Sequence, residues 1–110
     1  MFILSADLGQ ANDYTAISIL ERITAHDGGS AGYLLRYLQR PPLGTPYPAI
    51  VAQVLSLLDR APLSRTETPL VVDATGVGAP LVDMFTAQGV RPRAITIHGG
   101  VHGATRTLTA

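Results

Sequence analysis

The sequence predicts an α/β domain: a five-stranded mixed sheet with two helices on one of its faces. Three observations carry this. Up to Arg40 the chain holds three segments of strand character joined by short turn-forming stretches. One run of helical period follows, bounded by prolines. The chain then passes through a short apolar strand, a glycine-opened helix and another strand, the alternation of a parallel unit.

Residues 2–8 are apolar on both faces, as in a central strand. Gly9 to Asp13 supply turn residues, and Tyr14 to Arg22, rich in Thr15, Ile17 and Ile19, reads as the second strand. Asp27-Gly28-Gly29-Ser30 is the sharpest turn signal, and the third strand, Gly32 to Arg40, ends against Pro41-Pro42. Thr45 is then placed to cap a helix with Pro46 at its first position. Ile50, Val54, Leu57, Leu58 and Ala61 follow at helical spacing, and Pro62 stops the run. Residues 62–69 read as a polar loop and Leu70 to Asp73 as a short buried strand. Gly76-Val77-Gly78 opens a second helix with Leu81, Met84 and Phe85 on one face, closed by Gly89. Arg93 to Ile97 is the fifth strand, and from His98 onward the pattern assigns no element.

Short turns make the first three strands an antiparallel meander. A compact crossover then places the fourth strand on the free side of the first. The expected order is 3-2-1-4-5 with strand 2 alone antiparallel, and right-handed crossovers put both helices on the same face. The other face is left bare, which implies a missing C-terminal helix, a partner or self-association.

The 110 residues suffice for one domain, and no apolar run has the length of a membrane span, so no membrane partner is expected. The absence of cysteine excludes disulfides, thiolate metal sites and a cysteine nucleophile, and permits a cytoplasmic setting. Zero formal net charge argues against a strongly basic nucleic-acid binder, although every cation is an arginine, the side chain best shaped for phosphate. Arg22, Arg36 and Arg40, on adjacent strands, read either as a stripe facing DNA or as a solvated edge.

Asp7 and Asp73 end the first and fourth strands, which the expected order makes parallel neighbours about 4.8 Å apart. Their carboxylates converge at the sheet edge where open α/β sheets bind ligands. Two acids so close repel unless a proton or a divalent cation lies between them, and oxygen ligands favour Mg²⁺ or Mn²⁺. Taken singly, each acid would read as the cap of a turn or helix.

The stretch Ser5-Ala6-Asp7-Leu8-Gly9-Gln10, then Asp13-Tyr14-Thr15-Ala16, with Val71-Val72-Asp73-Ala74-Thr75-Gly76-Val77-Gly78 downstream, resembles the ribonuclease H-like superfamily. More narrowly it is similar to the nuclease domain of phage terminase large subunits, which Arg40-Pro41-Pro42-Leu43-Gly44-Thr45-Pro46-Tyr47 also fits. The resemblance implies a metal-dependent DNA endonuclease that cuts concatemeric phage DNA during packaging. Asp7 and Asp73 would be its catalytic metal ligands, holding two Mg²⁺ or Mn²⁺ ions. The implied partners are double-stranded DNA and an ATPase motor or other packaging proteins, in the bacterial host cytoplasm. Asp13, expected to hydrogen-bond within the first turn, and His98, after the fifth strand, are accessory candidates.

Such nucleases place a third acid on a helix after the fifth strand, whereas no acid follows Asp83 here, and helical spacing turns Asp83 to solvent. The expectation is a single domain over residues 1–110, truncated at its C-terminus. Two other readings stay open. One is the nucleotide-binding lobe of an actin- or sugar-kinase-like ATPase, which shares the strand order and a similar Asp7-Leu8-Gly9-Gln10 turn. The other is a catalytically silent assembly module.

Overall fold

The computed structural model describes residues 1–9, 13–25, 27, 32–73, 75, 79–97 and 106–109. Its elements are β1 (Phe2–Asp7), β2 (Ala16–Ile23), β3 (Gly32–Gln39), α1 (Tyr47–Leu58), β4 (Leu70–Asp73), α2 (Ala79–Ala87), β5 (Arg93–Ile97) and β6 (Arg106–Thr109). They form one sheet of order β3-β2-β1-β4-β5-β6. The five-strand order expected from sequence is present, with β2 antiparallel to β1 and β3, and β4 parallel to both β1 and β5. The sixth strand is an addition: β6 pairs antiparallel with β5, Ala94 opposite Thr109 and Ile97 opposite Arg106.

Strand period decides which face is covered. In β1, Leu4 and Ala6 are buried, and in β2 Ile17 and Ile19, while the residues between them are only partly so. Leu70 and Val72 continue this apolar face in β4. Ile50, Val54 and Leu58 of α1, with Leu81 and Phe85 of α2, are buried in the same cluster, so both helices pack on this side. Burying a side chain such as Phe85 contributes about 1.5–3 kcal/mol. On the opposite face Ile3, Ser5, Asp7, Ala16, Ser18, Leu20, Val71 and Asp73 lie under neither helix, and none of them is buried.

Several element ends differ from expectation: β1 stops at Asp7 rather than residue 8, β2 runs Ala16–Ile23 rather than Tyr14 to Arg22, and β3 stops at Gln39 rather than Arg40. The two ends of α1 differ for local reasons. Thr45 does not cap α1: its hydroxyl donates to the Pro42 carbonyl at 2.5 Å, closing the 42–45 turn, and Pro46 takes the cap position. Helix α1 ends at Leu58 with Asp59 as C-cap, so Ala61 lies outside it and is exposed. At the end of α2, Gly89 adopts φ +80°, the left-handed conformation that terminates a helix and that glycine enters without cost. No helix among the described residues is long and apolar enough to cross a membrane.

Candidate functional site

Asp7 is the last residue of β1 and Asp73 the last of β4, and the two are register partners. Register partners on parallel strands point to the same face, and their backbones are about 4.8 Å apart. Because Leu4, Ala6 and Val72 turn into the helix-covered core, alternation turns Asp7 and Asp73 to the open face. There they line a shallow depression of about 200 Å³ together with Ser5, Ser18, Val71 and Ile95. The Ser5 and Ser18 hydroxyls, opposite one another on β1 and β2, hydrogen-bond at 2.5 Å.

The two carboxylates have unequal surroundings. Asp73 Oδ1 accepts from the Thr75 backbone N–H at 3.0 Å and from its hydroxyl at 2.6 Å, a turn that fixes the carboxylate as the chain leaves β4. Partial burial, and then the neighbouring Asp73 charge, push the Asp7 carboxyl above its ordinary value of 3.8. An acid whose pKa is raised by desolvation and a second carboxylate is a group whose ionised form gains from a nearby cation.

Asp13 lies apart from the pair. It lines a cavity of about 260 Å³ with Gly9, Thr15, Ile50 and the 42–47 turn. That corner is held by the Gly9 N–H donating to Thr15 Oγ1 and the Tyr47 hydroxyl donating to the Gly9 carbonyl, each at 3.2 Å. The Asp13 carbonyl packs so closely on Gly9 that a Cβ there would collide with it. Asp83 is exposed on α2. His98 and the Gly76-Val77-Gly78 turn lie outside the described residues, as do His26 and His102. Among the described residues no group of three or more histidine, cysteine, aspartate or glutamate side chains could hold a metal ion.

No family model, curated protein or solved structure matches this chain. What its site can do therefore rests on its own geometry: two carboxylates side by side on an open sheet face, one of them anchored by a turn.

The expected arginine grouping is rearranged. A register shift between Ile19 and Leu20 leaves Arg36 unpaired in the β2–β3 ladder, and its guanidinium bonds Glu21 from Nε at 2.8 Å and Nη2 at 2.5 Å. Arg40 instead lies over the Tyr14 ring, 4.1 Å from the centroid. Asp73 does cap a turn, the role each acid would have taken singly, and its partner Thr75, not named from sequence, stands at the Asp-x-Thr spacing of such a turn. The sequence reading missed the serine pair, which depends on register and has no local signal.

Proposed function

We propose that this chain is a metal-dependent nuclease domain on a ribonuclease H-like sheet, acting on the phosphodiester backbone of double-stranded DNA. The observation that carries the reading is the register pairing of Asp7 with Asp73 at the ends of adjacent parallel strands. Their chemistry suits a divalent cation: hard oxygen donors, and a raised Asp7 pKa whose second cause is the Asp73 charge. Asp7 and Asp73 would hold Mg²⁺ or Mn²⁺. When bound, such an ion supplies the charge that makes water acidic and offsets the negative charge growing on the leaving oxygen.

The chain's own part is to hold the acids and leave room above them. Thr75 keeps one Asp73 oxygen turned toward its own turn, so the other is the oxygen placed to meet a ligand. Neither α1 nor α2 lies on the open face, which is the side from which a duplex would meet the acids. The pairing of a cytoplasmic packaging nuclease with an ATPase motor belongs to this reading as its narrower form. The second ion of the resemblance needs further donors, for which no third acid joins the pair among the described residues.

The test is a Mn²⁺ titration followed by amide NMR, with plasmid cleavage as the second readout. Line broadening is expected first at residues 7–9, 73 and 75, and is expected to vanish in Asp7→Asn. Cleavage in Mn²⁺ is expected to fall at least about 100-fold in Asp7→Asn and in Asp73→Asn. Broadening elsewhere, or cleavage indifferent to both substitutions, overturns the reading.

A further inference from the structure

The acid pair needs a device that holds an anionic strand beside two negative charges. We propose that Arg40, seated on the ring of Tyr14, is that device: a backbone phosphate contact for the DNA duplex at the Asp7–Asp73 edge of the sheet. The proposal rests on reading the open face as one that takes DNA.

The placement follows from the pairing. Ala16 is the β2 partner of Asp7, and Tyr14 lies two residues before it. Thr15 between them is buried and Tyr14 is 48% exposed, so the alternation of β2 continues and turns Tyr14 to the face that bears Asp7. On β3, Gln39 pairs with Ile17 of the covered face, which puts Leu38 and Arg40 on the open one. Arg40 thus sits at the acids' end of the sheet, two strands from β1. That is about 10 Å across, or some three base-pair steps at ~3.4 Å each.

Among the other described arginines, Arg36 is tied to Glu21 and Arg65 to Asp59. Arg93, the register partner of Val71, lines a separate cavity with Arg91, Glu67 and Pro69 where β4 and β5 begin. Arg22 pairs with Tyr33 at the far end of β2, beside the Phe2–Glu21 pair, and Arg60 follows α1. No carboxylate among the described residues is recorded within ion-pair distance of Arg40; its partner is an aromatic face. That seat fixes the long side chain without using its N–H edge, which remains for bidentate contact with phosphate.

The experiment is fluorescence anisotropy of a labelled DNA duplex with the full chain, in EDTA so that nothing is cut, over a range of salt. Removing one phosphate contact is expected to weaken binding about 3- to 10-fold and to lower the salt slope by about 0.9. This is expected for Arg40→Ala. Tyr14→Ala should move in the same direction by unseating the guanidinium, while Tyr14→Phe should match the wild type. Arg65→Ala, which removes a guanidinium tied to Asp59, should leave the slope unchanged. An Arg40→Ala slope equal to the wild type's, an equal loss in Arg65→Ala, or no duplex binding by the wild type overturns the proposal. Adding Mn²⁺ separates the two readings. Cutting by the wild type with an unchanged Arg40→Ala slope removes the Arg40 assignment alone. An Arg40-dependent slope without any cutting removes the nuclease chemistry and leaves the phosphate contact.

Discussion

Asp7 holds its charge against its surroundings. Burial and the Asp73 carboxylate both favour its protonated form, so its folded pKa lies above the ordinary 3.8. As pH rises from 3.8 through that raised value, the native chain retains a proton that the unfolded chain has released, and stability falls across the window. Above it the loss is constant. Asp7→Asn removes the cost, so the variant is expected to melt higher than the wild type at pH 7. The gap should be on the order of 1–4 °C, the scale of a partly exposed pair. It should close at about pH 3, below both pKa values. Thermal melts at the two pH values check this. On the proposed reading, Mn²⁺ is expected to reverse the order by stabilising the wild type alone, because the proposed site needs both carboxylates in the folded chain. A variant that melts like the wild type at pH 7 would mean that neither partial burial nor the Asp73 charge disfavours the ionised Asp7 in solution.

At the scale of elements, the corner between β1 and β2 sets where the acids end. Gly9 cannot carry a side chain there, because a Cβ would strike the Asp13 carbonyl and the Tyr14 backbone, which cannot rotate away. Gly9→Ala is therefore expected to destabilise by about 1–3 kcal/mol in urea unfolding, with loss of the Thr15 and Tyr47 bonds to residue 9. Gly32→Ala is the control: nothing lies within 4 Å of a Cβ at Gly32, and its effect should stay within about 0.5 kcal/mol. Much of this architecture was legible beforehand because it is locally encoded. Leu70–Asp73 and Arg93–Ile97 coincide with the expected strands, and β4 lies beside β1, as a compact crossover requires, which brings the two acids together. What escaped is non-local. Strand β6 is four residues, too short to show a period, and forms by pairing with the edge of β5. The β2–β3 bulge, which separates Arg36 from Arg40, depends on a register no single strand reveals. The shift of the α1 cap from Thr45 to Pro46 came from a competing turn bond to Pro42.

The chain combines zero formal net charge with a sheet face that neither α1 nor α2 covers and an apolar edge strand, a combination that favours association in solution. Strand β3 is the outermost strand on one side, and Tyr33, Leu34, Leu35 and Leu38 are all exposed on it, the two last at 57% and 59%. An edge strand of this kind offers unpaired backbone groups beside apolar side chains, with no long-range repulsion between molecules to keep them apart. Leu35 pairs with Leu20 and Leu38 with Ser18, so both belong to the open face. Replacing both with lysine removes apolar surface from that face and adds two positive charges. The wild-type sedimentation coefficient is expected to rise with concentration at neutral pH, and that of Leu35→Lys/Leu38→Lys to stay flat. Charge alone is separated by Ser56→Lys/Gln88→Lys, which adds the same two charges at exposed positions on and beyond the helices. If that variant also becomes concentration-independent, the absence of net charge is what drives association. If only the β3 variant does, the apolar edge is the cause, and association uses the face that bears Asp7 and Asp73.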